Sequence, residues 1–346
     1  VTAPGGTWAR LAIAIALVGA ASPELVAQQN HFVTISTLRC RTLAMGGASA
    51  AVRDDLGALA MNPAAVQLYA VAKSFRMSFF VNPVAPVVSL SRRQDLKDAS
   101  GNTDVAPAAF AATLLKGVGV TISALDVLLS WGEETPGFGP RQHGPEAFQM
   151  RDYFEAFSNS LAARVRLAPQ VALGAGVDLW QLRTGGGRLW QVGFSYGVLV
   201  QPDPRVSVGL VYVELPDSFV YARQLLERIR DESLNLGLCW RPFAGTLLSA
   251  DLRNIGEEGD PLTRELHVGA EQVVLRHFAL RSGMYREKDS KRFTYSAGLG
   301  LLDLNVFVPA EQQFAHATFA VNYALVYRAT ATGPDRWHLL SALFRL

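Results

Sequence analysis

Apolar residues alternate with polar or small ones at period two through most of the chain beyond residue 70, segment after segment. In 233–241, Leu234, Leu236, Leu238 and Trp240 share one face, and Ser233, Asn235, Gly237, Cys239 and Arg241 share the other. The same pattern returns in 246–253, 265–271, 292–301 and 317–327. Successive side chains of a strand point to opposite sides, so each segment predicts a strand with one continuous apolar face. Pro83, Pro86 and Pro107 interrupt the alternation between 72 and 130, because proline cannot donate to a strand ladder. In 221–230, Leu225, Leu226 and Ile229 share a helical face, which is compatible with a short helix inside a loop.

Two architectures accept such strands. A soluble sandwich hides the apolar face between sheets, whereas a transmembrane barrel turns it to lipid and keeps the polar face in the lumen. Strand length separates them. Segments 171–182, 188–200 and 317–328 are about as long as the roughly 9–11 residues a tilted strand needs to cross a bilayer, against about five or six for soluble strands. Connections differ in size as well. Short ones hold Ala168-Pro169-Gln170, Gln201-Pro202-Asp203-Pro204 and Arg241-Pro242-Phe243, and long polar ones run over 91–104, 132–147, 215–232 and 254–262. Outer-membrane barrels show this asymmetry between their two ends. Trp180, Trp190, Trp240 and Trp337 stand near strand ends, as an interfacial aromatic girdle would. From residue 72 onward there are roughly 14 to 16 such segments.

Composition strengthens the membrane reading. The chain has 346 residues, 49% of them hydrophobic and 18% charged, with 30 glycines. A soluble domain would carry about 25% charge. The net charge of +2 and the absence of like-charge blocks exclude a nucleic-acid surface. No stretch beyond residue 70 reaches the roughly 18 apolar residues of a helical span. At the N-terminus, Arg10 precedes the apolar run 11–21, followed by Ser22-Pro23, Ala27 and the polar Gln28-Gln29-Asn30. Those are the parts of a cleavable signal peptide, with cleavage expected near Ala27. Cys40 and Cys239 make neither a metal spacing nor a disulfide framework.

The tract MGGASAAVRDDLGALAMNP, residues 45–63, precedes every strand-like segment. It is not a phosphate loop: Gly46-Gly47 does not lead into Gly-Lys-Ser/Thr, and no third glycine completes a dinucleotide fingerprint. Asp54-Asp55 reads better as solvated charge near a helix start than as a metal pair, because adjacent acids diverge on a helix or a strand. The six histidines form no metal spacing, and no nucleophile elbow is present. The residues therefore point to no enzyme chemistry, cofactor or metal.

The longer stretch LAMGGASAAVRDDLGALAMNPAAV, residues 43–66, resembles the N-terminal signature of the PorV/PorQ family, a branch of the FadL superfamily of outer-membrane barrels. Met45, Gly46, Gly47, Ala48, Asp54, Asp55, Asn62, Pro63 and Ala64 stand in the matching positions. Segments 161–179, 248–256, 267–272 and 279–285 are similar to family segments in the same order, so the likeness spans most of the mature chain. Ala65 replaces the glycine that usually ends the Asn-Pro-Ala-Gly turn, and Leu346 replaces the usual terminal aromatic, with Phe344 retained. The resemblance implies an antiparallel transmembrane β-barrel of about 14 strands whose N-terminal segment folds inward as a hatch. Small residues suit that role, since glycine and alanine let backbone approach a barrel wall.

The expected organisation is a signal peptide over 1–27, a hatch segment over 28–71 inside the barrel, and the barrel over 72–346. The resemblance implies a non-enzymatic accessory role in type IX secretion or surface attachment, with a translocon and cargo sorting domains as partners beside outer-membrane lipid. Loops 132–147 and 215–232 would be the docking surfaces. The alternative is a FadL-like channel for long-chain fatty acids or other hydrophobic ligands, gated by the hatch. By strand parity the lumen presents Arg164, Arg166, Asp178, Asp251, Arg253, His267 and Glu271, where Arg-Asp pairs across strands would satisfy one another.

Overall fold

The architecture was determined as a computed structural model. It describes residues 30–35, 38–53, 57–68, 75–83, 114–134, 149–150, 156–184, 187–215, 228, 232–255, 264–275, 278–288, 290–302, 318–330 and 333–345. The signal-peptide reading, Asp54 and Asp55, the helix reading over 221–230, most of the long connections and Leu346 lie outside these residues.

The strands in chain order begin with β1 (Asn30–Ile35), β2 (Arg76–Val81), β3 (Leu115–Ile122), β4 (Leu125–Glu134), β5 (Gln149–Met150), β6 (Ala156–Ala168), β7 (Val171–Thr184) and β8 (Gly187–Asp203). They continue with β9 (Val206–Glu214), β10 (Ser233–Trp240), β11 (Thr246–Arg253), β12 (Glu265–Val274), β13 (Phe278–Arg286), β14 (Phe293–Leu302), β15 (Thr318–Thr330) and β16 (Gly333–Arg345). Leaving out β1 and β5, each strand pairs antiparallel with its chain neighbour, and β16 pairs with both β15 and β2. The result is a closed antiparallel barrel of 14 strands. Strands β6, β7 and β8 have 13, 14 and 17 residues, the length class that pattern and spacing predicted.

Accessibility follows the alternation and shows which face is out. On β10, Leu236, Leu238 and Trp240 are 41%, 49% and 49% exposed, whereas Asn235, Gly237 and Cys239 are buried. The apolar face is therefore the outside of the barrel and the polar face its inside. Trp190 and Trp240 point outward, in keeping with a girdle, but Trp180 and Trp337 are buried and point inward. Strand parity decides this: Trp180 follows the register of Ala172 and Gly176, and Trp337 that of Asp335 and Leu339, all on the interior side.

The connections sort by end. The turns after β3, β6, β8, β10 and β12 are short and share one end, and the long stretches 84–113, 135–148, 216–227 and 256–263 fall at the other. Three connections break the rule: 303–317, between β14 and β15, is long and joins strands at the short-turn end, while 185–186, after β7, and 331–332, after β15, are short and join strands at the other.

Closure between β2 and β16 differs from the rest of the wall. Among the described residues, Phe344–Val81 and Arg345–Phe80 are the pairs there. Farther along β16, residues 335–340 pair in parallel with β1, and β1 pairs with β5. The sequence pattern did not reveal this parallel strand, which lies within the segment expected to fold inward as a whole.

Candidate functional site

Residues 38–52 are buried, and their contacts are with the inward faces of the wall. A one-turn helix over Cys40–Ala44 ends where Gly46 and Gly47 take φ of 66° and 82°. Positive φ is costly for residues with a Cβ, and space adds a second restriction. A Cβ on Gly46 would lie 2.7 Å from the Met284 amide nitrogen and 2.9 Å from the Val268 carbonyl. The wall is built to match: a Cβ on Gly237 would lie 2.8 Å from both Ala50 Cβ and the Ala51 nitrogen. Glycine on both sides thus lets backbone meet backbone.

Polar groups on the strands then satisfy the segment's own backbone. Ser296 Oγ accepts from Gly46 N at 2.8 Å and donates to Ala44 O at 3.0 Å. His267 Nδ1 lies 2.7 Å from Gly46 O, and the His267 ring stacks on Tyr285 with centroids 4.2 Å apart. Asp251 Oδ2 accepts from the amides of Ser49 and Ala50 at 2.8 and 2.9 Å. Arg253, fully buried, donates to Gly47 O and stands 3.5 Å from the same carboxylate. Ser207 Oγ donates to Ala51 O at 2.8 Å. Buried backbone groups in a non-helical segment need such partners.

Ion pairs fasten the same piece. Arg41 grips Glu271 through two bonds of 2.9 and 2.7 Å, and Arg281 reaches the same carboxylate at 2.5 Å. Arg281 also donates to Asn322 Oδ1 at 2.7 Å. Leu38 N donates to Glu133 Oε1 at 2.8 Å, and the Arg39 guanidinium lies 5.7 Å from the centroid of the inward Trp180. Lumen charges therefore do more than cancel across strands. Arg164 does pair with Asp126 at 2.8 Å, yet its Nε also donates to Ala64 O at 2.9 Å.

The second half, 57–68, packs against β6, β7 and β8. Asn62 accepts from Ala64 N at 3.0 Å, capping a single 3-10 turn over Pro63–Ala65, and its Nδ2 donates to Ala50 O at 2.7 Å. Ala65 fits this turn without positive φ, and its amide donates to Asn62 O at 2.9 Å. At the end of the piece, Arg345 donates to Leu68 O at 2.9 Å and to Ser78 Oγ at 2.8 Å, with its guanidinium 5.6 Å from the centroid of Phe80.

Of the signature residues, Met45, Gly46, Gly47, Ala48, Asn62, Pro63 and Ala64 come together in this buried assembly. Parity located Asp251, Arg253, His267 and Glu271 on the inner face but not their partners on the segment. Glu133, Arg281, Ser296 and Arg345 were missed altogether. Their signal is a charged or hydroxyl residue at an inward position of a strand whose other inward residues are small.

Toward the long-connection end, Arg228 donates to Glu265 at 3.1 and 2.6 Å and lies 3.8 Å from Glu287, which Arg328 also binds at 2.6 Å. Burial opposes the Arg228 charge, but the bonds and fields of Glu265 and Glu287 outweigh it and hold its pKa above the ordinary value. At the short-turn end a cavity of about 350 Å³ is lined by Arg53, Gln67, Arg164, Arg166, Gln170 and Gln201, among others. Both cysteines are buried free thiols.

No family model and no curated protein matches this chain. Among solved structures, it is similar to engineered variants of the porin of Rhodopseudomonas blastica. One variant is 8% identical, with 67% of this chain and 77% of the porin covered at a TM-score of 0.35. Another is 7% identical over the same shares, also with a TM-score of 0.35. At that identity and score, the barrel described here rests on the chain's own strand pairing.

Proposed function

We propose that this chain is an outer-membrane β-barrel with no enzymatic role, whose residues 38–53 and 57–68 form a fixed hatch and which serves as an accessory of type IX secretion or surface attachment. The membrane reading is supported by a closed barrel with apolar residues on its outside and charged, hydrogen-bonded residues within. The observation that carries the accessory role is how the lumen is filled. Backbone of 38–53 and 57–68 meets strand glycines and is bonded by buried Asp251, Arg253 and Arg164, with Glu271 holding the Arg41 side chain, which supports a plugged scaffold over a diffusion pore. The secretion role itself rests on the resemblance of residues 43–66 to the PorV/PorQ signature.

One observation favours the second reading, a channel for hydrophobic molecules. Among the described residues the β2–β16 seam has two residue pairs, and a lateral path there would need least rearrangement. The charged inner wall opposes an apolar path through the barrel itself.

The test is affinity purification of the full chain from cross-linked native membranes. Copurification of a large translocon and of cargo with C-terminal sorting domains is the expected result. A barrel recovered alone that binds a long-chain fatty acid, and loses that binding in Asn62→Ala, would overturn the accessory role in favour of the channel.

A further inference from the structure

Where the inner segment meets the short-turn end, arginines from the wall and from the segment converge on the cavity of about 350 Å³. Arg164 and Arg166 stand two residues apart on β6 and so share its inward face. Arg166 is opposite Ala172 of β7, which lines the cavity with a single methyl group. Arg53 comes from the other side, at the end of the segment's first half, and its Nη1 donates to Gln201 Oε1 at 2.6 Å. Gln201 is fixed in turn, because its backbone N donates to Gln170 O at 2.7 Å and its Nε2 to Pro204 O at 3.3 Å.

Among the described residues that line the cavity none is acidic, and the neutral amides of Gln67, Gln170 and Gln201 stand beside the three arginines. Asp126 offsets Arg164, which it binds at 2.8 Å, and Asp203 accepts from the Arg205 amide at 2.8 Å. With Asp126 counted, the described lining is still positive. Access is from the turn side. Pro169, Gln170, Pro202 and Pro204 line the cavity and are exposed, so a solute reaches it without crossing the inner segment.

A guanidinium is a planar fork of donors that matches the oxygens of a carboxylate or phosphate. Cations gathered around one hollow repel each other, and an anion between them reverses that term. The glutamine amides add neutral donors for its remaining oxygens. The volume is near the lower limit of small-molecule sites, which span roughly 300–1,000 Å³. We propose that this cavity is a binding site for a small polyvalent anion, whose carboxylate or phosphate groups bridge Arg53 of the inner segment to Arg166 of the wall. Bound there, the anion ties the end of the segment's first half to β6. The inference needs the barrel and its filled interior, and not the secretion role.

The experiment is isothermal titration of the full chain, refolded in octyl glucoside at low ionic strength, with citrate and separately with pyrophosphate. A saturable site for at least one of them is expected, and the tighter binder identifies carboxylate or phosphate as the recognised group. Acetate should bind about tenfold more weakly or worse, since it offers one charge to two guanidinium groups. Arg53→Gln and Arg166→Gln should each weaken binding about tenfold or more. Arg166→Lys, which keeps the charge and loses the fork, should weaken it less than Arg166→Gln. Arg205→Gln, on an exposed neighbouring turn, should leave it unchanged. Gel mobility before and after heating shows that each variant is folded, and the titration of the unaltered chain decides the existence of the site without any variant. Absence of saturable binding by both probes on that chain would overturn the proposal. Equal weakening by Arg205→Gln would overturn it too, because the anions would then follow surface charge alone. Asp54 and Asp55 follow Arg53 in the chain, outside the described residues. Binding that emerges only after Asp54→Asn with Asp55→Asn overturns the proposal as well, assigning the arginines to the chain's own carboxylates.

Discussion

Asp251 holds two backbone amides of the inner segment and faces Arg253, so its removal leaves two amide donors short of an acceptor and Arg253 without its neighbouring carboxylate in a site without water access. Breaking a buried charged arrangement costs about 3–5 kcal/mol, and each orphaned neutral donor about 1–3 kcal/mol. Asp251→Ala should lower the stability of the folded barrel in detergent by roughly 3 kcal/mol in urea titrations, and Asp251→Asn, which keeps an acceptor oxygen, should lose clearly less. Equal losses would mean that the amide contacts contribute nothing. Gly46→Ala combines positive φ with a Cβ 2.7 Å from a backbone nitrogen, a strain of about 1–3 kcal/mol. Faster amide exchange confined to residues 44–52 is the expected sign, and an unchanged exchange pattern would contradict the packing described here.

At the scale of elements, the apolar face of each strand was plain in the sequence because its period is two and its members are large. Leu238, half exposed on β10, tests what that face meets. An arginine placed toward the bilayer midplane costs about 2–4 kcal/mol in an outer-membrane barrel, so Leu238→Arg should cut refolding into vesicles by about that amount. Full refolding would show that this face does not lie in lipid. The β2–β16 seam gives a second prediction: beside the two pairs seen there among the described residues, Arg345 supplies bonds to Ser78 and Leu68 that hold wall and segment together. Arg345→Ala should lower the temperature at which the barrel loses its compact gel mobility, and a larger loss from Arg336→Ala, on the outward register of the same strand, would contradict that role.

Legibility faded where nearness to a strand end was given more weight than parity. Trp180 and Trp337 read as girdle residues because tryptophan near a strand end usually is one, yet each falls on the inward register, and Trp180 meets Arg39 there. Strand glycines such as Gly237 looked like ordinary small inward residues. Only the approach of Ala50 and Ala51, distant in sequence, gives that position its meaning. The inner ion pairs escaped for the same reason: Arg41 and Glu271 are separated by more than two hundred residues, and no local pattern joins them.

At the scale of the whole molecule, these contacts describe a barrel that carries its own filling. The wall supplies glycine where backbone must pass and carboxylate, hydroxyl or guanidinium where backbone must be bonded. The segment supplies small residues that leave room for both. Under the proposed fixed hatch, opening the interior would part Arg41 from Glu271 and the segment's amides from Asp251, leaving those carboxylates short of partners in the wall. Hydrogen–deuterium exchange of the full chain in bilayers, read on peptides covering 38–52 and 57–68, tests this most directly. Protection of both peptides comparable to that of β10 and β11 is the predicted result. Exchange of both peptides within seconds, while those strands stay protected, would contradict a bonded interior and leave an open barrel in its place.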